Sequence, residues 1–192
     1  SSLVRDEDMA SAVLATTVVE RGGLGEFDAT ELGKKLTGKQ ARANTYVDAL
    51  NEGLTGGGST KDLETMFQLA YLRFTSPRRD SAAFVAFKAQ IAPFFANRAN
   101  SPEAAFSDTV MLTMAQHHAR AQPVTQALLD RASLDRAFAI YQERFADASD
   151  FTFVFVGSFT LDAMRPLVQQ WLATLPALQR NETWRDVGIR AP

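Results

Sequence analysis

Phe151-Thr-Phe-Val-Phe-Val-Gly157-Ser-Phe-Thr-Leu-Asp162 is the stretch of sequence that decides the fold. Its first six residues are aromatic or β-branched, a pattern typical of a central strand buried on both faces rather than of a solvated edge. Gly157 then permits a sharp exit, and Thr160 is a candidate N-cap for a helix. Asp162 adds a carboxylate near that helix N-terminus, where the helix dipole favours negative charge.

The residues that follow Thr160 carry apolar side chains at three- and four-residue spacing as far as Leu175-Pro176. Such a stripe must bury against the sheet to which the preceding strand belongs. The apolar positions are Leu161, Met164, Leu167, Val168, Trp171, Leu172 and Leu175. Strand and helix are therefore predicted to form one α/β packing unit.

Upstream of this unit, helix signals are dense and strand signals are few. Asp28-x-x-Glu31 is a capping box, Ser101-Pro102-Glu103 is an N-cap with proline at the first helical position, and Ser133 caps the helix before the strand. Further helices are predicted over residues 7–19, from Ser59-x-x-Asp62 to Pro77, and from Ser81, with a kink or early end at Pro93.

The predicted strands upstream lie in residues 39–54, joined by a turn at Asn51-Glu-Gly53. Many helices and few strands predict an α+β fold. We expect a two-layer α/β sandwich in which helices pack on one face of a small mixed or antiparallel sheet.

Composition limits the possible functions. The chain has 192 residues, 46% of them hydrophobic and 22% charged, which suits one well-buried domain. The net charge is −2 and the basic residues are scattered, so a nucleic-acid partner is not expected. No cysteine is present, which excludes disulfides and thiolate metal sites. No apolar run approaches the ~20 residues that span a bilayer.

The order of several motifs resembles the pitrilysin/insulin-degrading-enzyme family of zinc peptidases. In that family a hydrophobic strand ending in Val-Gly-x-Phe, a helix and a Leu-Pro close each repeated domain. Nearly the whole chain is similar to the second half of long periplasmic bacterial members. The motifs that carry the resemblance are Gly22-Gly-Leu-Gly-Glu-Phe27, Asp62-Leu-Glu-Thr-Met-Phe-Gln-Leu69, Tyr71-Leu-Arg-Phe-Thr-Ser-Pro77, Tyr141-Gln-Glu-Arg-Phe145 and the stretch from Phe151.

The catalytic motif of that family is missing here. Active domains carry H-x-x-E-H on the first helix, where two histidines reach one zinc ion and the glutamate activates water. The first helix of this chain, including Val13-Leu-Ala-Thr-Thr-Val-Val-Glu20, has no histidine, and Lys88-Ala-Gln-Ile-Ala-Pro-Phe-Phe-Ala-Asn97 offers no acid as third ligand. We therefore predict no catalytic residue, metal ligand or cofactor in this segment, and zinc in the catalytic half of the parent protein.

The resemblance implies a non-catalytic domain that forms part of a chamber enclosing peptides or unfolded protein. By analogy with the matching strand of active domains, the candidate peptide-binding residues are Ala43, Asn44, Thr45 and Tyr46. The expected partners are the catalytic half of the same polypeptide and peptide substrates, and the expected location is the periplasm. We expect a domain over residues 1–180 that lacks its first strands, a linker over 181–192, and a possible homodimer through an exposed sheet edge.

Two other functions remain open. One is a structural or assembly subunit, as in family relatives that have lost peptidase activity and serve as scaffolds in larger complexes. A small-molecule or phosphate-binding module would instead use the Gly56-Gly57-Gly58 turn before a helix, although Lys61 is misplaced for a Walker loop. The only histidines, His117 and His118, are adjacent and diverge on a helix, so a polar helix end is the favoured interpretation.

Overall fold

The structure is a computed structural model that describes residues 2–192, in which helices pack on one face of an antiparallel hairpin. The α+β fold is confirmed. Short 3-10 turns lie at Asp6–Asp8, Thr60–Asp62, Ala119–Ala121 and Ala148–Asp150, and a π-helical turn, Val168–Leu172, follows the last helix. The main elements are α1 (Met9–Ala12), α2 (Ala15–Gly22), α3 (Ala29–Lys35), β1 (Ala41–Val47), β2 (Glu52–Gly58), α4 (Leu63–Thr75), α5 (Ser81–Arg98), α6 (Pro102–Met114), α7 (Gln126–Arg131), α8 (Leu134–Phe145) and α9 (Leu161–Leu167).

The hairpin pairs β1 with β2 in a register that runs from Ala41 opposite Gly58 to Val47 opposite Glu52. The two predicted strands are present, but β2 continues beyond the expected end through Gly56-Gly57-Gly58. The prediction that these glycines form a turn is therefore wrong. A Cβ on Gly53 would lie 2.4 Å from the hydroxyl oxygen of Tyr46, so this glycine leaves room for a tyrosine ring folded across the ladder.

Helix α4 packs on the hairpin and carries the centre of the main core. Its Phe74 makes edge contacts with Phe145 of α8 and with Phe151, at ring-centroid distances of 5.6 and 5.0 Å. Tyr141 stacks on Phe145 at 4.6 Å, and both rings are buried. Aromatic side chains from three segments thus fix α4 against α8.

Residues 151–156 differ from the prediction. They are extended but pair with no strand, and only one face is covered. Phe151, Phe153 and Phe155 turn towards the core, whereas Val154 and Val156 are 78% and 95% exposed. The expectation of a central strand buried on both faces is wrong, because burial of the second face needs a second packed layer, which the described chain does not supply.

The local helix signals are confirmed at their caps. The side chains of Asp28, Ser101, Ser133 and Thr160 each accept a hydrogen bond from the first turn of the helix that follows. Asp28 and Glu31 form the complete capping box.

Helix boundaries agree less well with the sequence. The first predicted helix is interrupted after α1, and α5 does not end at Pro93 but continues to Arg98. The stripe predicted on α5 is only partly right, since Phe94 is exposed. The last predicted helix ends as a π-helical turn at Leu172, short of Leu175.

Two glycines at the end of α2 allow close backbone approaches, Gly22 to the chain after α4 and Gly23 to the turn that follows α2. A Cβ on Gly22 would lie 2.4 Å from the carbonyl oxygen of Arg78. Gly23 has a φ of +93°, and a Cβ there would lie 2.2 Å from the carbonyl oxygen of Phe27. Both obstacles are backbone atoms, so the crossing requires two residues without side chains.

A buried carboxylate fastens the C-terminal segment to the end of α8. Asp147 is fully buried and accepts hydrogen bonds from the backbone N–H groups of Ser149, Leu178 and Arg180 at 3.0, 2.8 and 2.7 Å. Burial alone would raise its pKa, but the hydroxyl of Ser149 and these N–H groups outweigh burial and hold the pKa far below its usual range. The segment predicted as a linker therefore begins beside a fixed attachment point.

Candidate functional site

The four predicted peptide-binding residues lie together in β1, with alternate orientations. Ala43 and Thr45 are buried, whereas Asn44 is exposed and Tyr46 is 40% exposed. Because successive strand side chains point to opposite faces, only Asn44 and Tyr46 are available to a ligand through their side chains. The structure does not test peptide binding by these residues, which stays a prediction.

Arg73 of α4 makes a hydrogen bond to the backbone of β1. Its Nε donates a hydrogen bond of 3.0 Å to the carbonyl oxygen of Ala43, and the hydroxyl of Tyr141 donates one of 2.9 Å to the carbonyl oxygen of Arg73. Burial lowers the pKa of Arg73 and raises the pKa of Tyr141 to about 12. Arg73 thus connects α4 to β1, and the hydroxyl of Tyr141 connects α8 to α4.

A second surface, which the sequence did not predict, lies between β2 and residues 151–155. It is a slot of about 510 Å³. Met66, Phe67 and Ala70 of α4 form part of its apolar lining, and Tyr46 and Trp184 also border it. We call this surface the apolar slot. The alternation of phenylalanine with smaller residues in Phe151-Thr-Phe-Val-Phe-Val is the sequence signal that indicates a one-sided extended segment.

The polar lining of the apolar slot is acidic. Glu52, Asp150 and Glu182 border it, and none of its described lining residues is a lysine, arginine or histidine. Behind this lining Arg144 is buried, with its Nη1 2.6 Å from Glu182 and 3.4 Å from Glu52. Burial raises the pKa of Glu52 despite the charge of Arg144. Arg180 also pairs with Glu182, at 3.1 Å, so two arginines compensate part of the negative charge around the slot.

The described chain offers no arrangement for metal chemistry. Within residues 2–192, no three histidine, cysteine, aspartate or glutamate side chains are grouped so that they could hold a metal ion. His117 and His118 follow the end of α6, and His118 Nδ1 accepts a hydrogen bond of 3.2 Å from the backbone N–H of Arg120. Since Gly56 to Gly58 belong to β2, they do not form a phosphate-binding turn either.

In the part of the chain that the structure describes, no helix has both the length and the apolar character needed to cross a membrane.

The similarity to known proteins covers almost the entire chain. No protein-family model matches the sequence. The probable zinc protease PqqL of Haemophilus influenzae is 24% identical over 181 residues, which cover 93% of this chain and 19% of that protein. The chain thus spans about a fifth of the length of this curated relative.

Two solved structures share the fold. The periplasmic protease PqqL from Escherichia coli matches with a TM-score of 0.78 and 17% identity, over 98% of this chain and 21% of that chain. A peptidase M16 inactive domain from Pseudomonas fluorescens matches with a TM-score of 0.64 and 16% identity, over 90% of this chain and 43% of that chain.

These matches define a class of protein: a helix-rich α+β domain of the kind found in zinc proteases, without a metal-binding group of its own among residues 2–192. The resemblance found in the sequence is confirmed, in that the chain is similar to zinc proteases and to a peptidase M16 inactive domain. Nothing in the comparisons supports the homodimer that the sequence suggested.

Proposed function

We propose that this chain forms part of the wall of a chamber in which a zinc metalloendopeptidase encloses peptides or unfolded proteins. The observation that carries the proposal is the match to zinc proteases several times longer than this chain, combined with the absence of a metal-binding group in residues 2–192. The bond-breaking zinc then belongs to the catalytic half of the same polypeptide. The periplasm is the proposed location, by resemblance to the periplasmic protease of E. coli.

The proposed contact with substrate is the backbone of β1 at Ala43, Asn44, Thr45 and Tyr46. An extended peptide added beside a strand is held by main-chain hydrogen bonds, which demand little of its sequence. The carbonyl oxygen of Ala43 already accepts a hydrogen bond from Arg73. Binding would therefore depend mainly on the remaining backbone groups and on the exposed side chains of Asn44 and Tyr46.

The proposed domain comprises residues 1–180, with 181–192 leading onward. Several contacts tie this last segment to the domain, among them a hydrogen bond of 3.0 Å from the backbone N–H of Arg185 to the hydroxyl of Ser2 and the ion pair of Glu182 with Arg144. Both contacts would limit the orientations available to a following domain.

The test is binding of a carboxymethylated, unfolded protein to the 192-residue chain, with zinc content measured on the same sample. We expect saturable binding, zinc well below one ion per chain and no cleavage. Tyr46→Ala should weaken binding by about tenfold, as loss of a contact aromatic residue does in many interfaces. Phe106→Ala is the matched control, because this ring is exposed on α6, away from β1.

Two results would contradict this proposal. Chelator-sensitive cleavage with one zinc per chain would place a catalytic site in this domain. Equal binding by the wild type and both variants would remove β1 as the contact.

A structural or assembly role is the second candidate, and one observation favours it. Val85 and Phe94 of α5 and Phe106 and Met114 of α6 are exposed apolar side chains on consecutive helices. Exposed apolar patches often mark protein interfaces. In this case the chain would bind the zinc-bearing half in a stable complex without binding unfolded protein, and Phe106→Asp would abolish that complex.

A further inference from the structure

The pairing of the hairpin decides which backbone groups of β1 face outward. At one end of the ladder Ser59 N–H donates to the carbonyl oxygen of Gln40 at 2.8 Å. At the other end Asp48 N–H donates to that of Asn51 at 2.7 Å. Because bonded pairs alternate along an antiparallel ladder, the N–H and C=O groups of residues 42, 44 and 46 point towards β2. Those of residues 43, 45 and 47 therefore point to the outer edge of β1, which pairs with no strand in the described chain.

Arg73 closes one point of this outer edge. Its Nε donates the hydrogen bond of 3.0 Å to the carbonyl oxygen of Ala43, which is one of the outward groups. Ala43 and Arg73 are only 3% and 7% exposed. The outward backbone groups of Thr45 and Val47, by contrast, make no hydrogen bond within the described chain. A peptide strand added to this edge therefore finds free backbone groups at Thr45 and Val47 and meets Arg73 at Ala43.

The charge of Arg73 has no direct partner among the described residues. A guanidinium stays protonated in proteins and has five N–H donors, yet the buried Nη1 of Arg73 has no hydrogen-bond acceptor in the described chain. No carboxylate of that chain forms an ion pair with Arg73, and Glu20 of α2 acts on it only through its charge. A carboxylate that comes close to such a cation is attracted more strongly than at an open surface, because the local dielectric constant is low.

We propose that Arg73 determines the specificity of the β1 contact, and that it selects a peptide with a carboxylate at the end beside Ala43. The main chain of the peptide pairs with Thr45 and Val47, and its carboxylate lies where Arg73 closes the edge. This carboxylate is either the carboxyl terminus of the peptide or the side chain of an aspartate or glutamate. The inference rests on the proposed function, because it names the class of peptide that the same strand binds.

The experiment compares three peptides that carry fluorescein at the amino end and are added to the 192-residue chain. The first is Thr-Val-Thr-Val-Thr with a free carboxyl terminus, the second is the same peptide with a terminal carboxamide, and the third is the carboxamide with aspartate as its last residue. Fluorescence anisotropy measures the three dissociation constants. We expect the carboxamide without aspartate to bind about tenfold more weakly than the better of the other two. Comparison of the first and third peptides distinguishes a terminal carboxylate from a side-chain carboxylate.

Variants of the chain assign this preference to one side chain. Arg73→Met removes the charge and keeps an unbranched apolar stem, so the preference for a carboxylate should disappear, whereas Arg73→Lys should keep part of it. Arg42→Met is the matched control, because Arg42 is an exposed arginine of the same strand, and its loss should leave the preference in place. Glu20→Gln, an exposed change on α2, should strengthen the preference. If Arg73→Met does not fold, Glu20→Gln and the three peptides on the wild type still decide the question.

Residue-resolved hydrogen exchange locates the bound peptide. We expect slower exchange at the N–H groups of Thr45 and Val47, and no change at Asn44 and Tyr46, whose N–H groups already donate to β2. Slower exchange at Ala43 as well would show that Arg73 does not close the edge.

The outcomes separate this inference from the proposed function. Equal binding of the three peptides with protection at Thr45 and Val47 would overturn the role of Arg73 and leave β1 as the peptide contact. A carboxylate preference that survives Arg73→Met would overturn it in the same way. Failure of all three peptides and of the unfolded protein to bind would remove both the inference and the proposed function.

Discussion

α8 and α6 are helices of nearly equal length that the fold treats differently. α8 buries Ala137, Ile140, Tyr141, Arg144 and Phe145. α6 contains Phe106, Val110, Met111 and Met114, and buries none of its residues. In α8 the buried side chains share one face, which packs against α1, α2 and α4, whereas the apolar side chains of α6 also share one face but remain exposed. Packing against neighbouring elements, rather than an apolar stripe alone, therefore locates the core.

The largest expected effect is that of Phe145→Ala on α8. Phe145 is 1% exposed and contacts Tyr141, Phe74 and Phe151. Loss of this ring leaves a cavity, and we expect the free energy of unfolding to fall by about 3–5 kcal/mol. Urea denaturation followed by circular dichroism measures this value. A loss below about 1 kcal/mol would mean that the aromatic cluster does not hold α4 against α8.

Asp147, directly after α8, should give the next largest effect and a distinctive pH dependence. Asp147→Asn keeps the shape but removes the charge that accepts three backbone N–H groups. Since hydrogen bonds hold the native pKa below the unfolded value, the stabilisation is complete above about pH 4 and is lost as the pH falls from there towards the native pKa. The Tm difference between variant and wild type should thus be greatest at neutral pH and narrow below about pH 4.

Asp108 of α6 is the matched control for this pH experiment. Its side chain accepts two hydrogen bonds of 2.6 Å from Arg98, which lower its pKa, but it lies near the surface. Asp108→Asn should therefore change the Tm much less than Asp147→Asn at every pH. Equal pH profiles for the two variants would show that burial of Asp147 does not matter.

The N-caps allow a direct comparison of the two helices. Ser133 caps α8 and Ser101 caps α6, each accepting one backbone N–H, at 3.3 and 3.2 Å. Ser133→Ala should cost about 1 kcal/mol of global stability, because α8 is part of the cooperative core. Ser101→Ala should leave the global value nearly unchanged and speed hydrogen exchange in α6 alone. Equal global losses would place α6 in the same cooperative unit as α8.

The smallest expected effect is that of Phe106→Ala. The ring is 72% exposed, so its removal should change the free energy of unfolding by no more than about 0.5 kcal/mol. Urea denaturation of Phe106→Ala and Phe145→Ala in parallel measures the smallest and the largest expected loss of stability. A loss of several kcal/mol would show that α6 is covered in solution.

The features of the fold that could be predicted from the sequence are those that depend on residues close together along the chain. Asp28, Ser101, Ser133 and Thr160 identify helix starts because each cap bonds within its own first turn. Residues 151–156 were predicted wrongly because a strand needs partners from elsewhere in the chain, and composition does not reveal whether they are present. The β2 glycines were predicted to form a turn because their pairing with β1 is not evident from the sequence.

The candidate site was predictable only in part. The sequence indicated β1 through a family resemblance. The structure shows that side chains of β1 alternate between buried and exposed positions, so that Asn44 and Tyr46 point outward. The apolar slot was missed because its two sides, β2 and residues 151–155, are far apart in sequence. The buried position of Arg73 was missed for the same reason, since its acceptor is the Ala43 carbonyl of another element.

The crossing at Gly22 and Gly23 limits how this sequence can drift in evolution. Every substitution of glycine adds a Cβ, and here the atoms it would meet are the backbone carbonyls of Arg78 and Phe27. No trimming of a neighbouring side chain can compensate, because backbone is present whatever the residue. A change at Gly23 is therefore tolerated only if the adjacent turn at Phe27 moves, whereas a change at Gly22 requires movement of the chain at Arg78, which couples two distant parts of the gene.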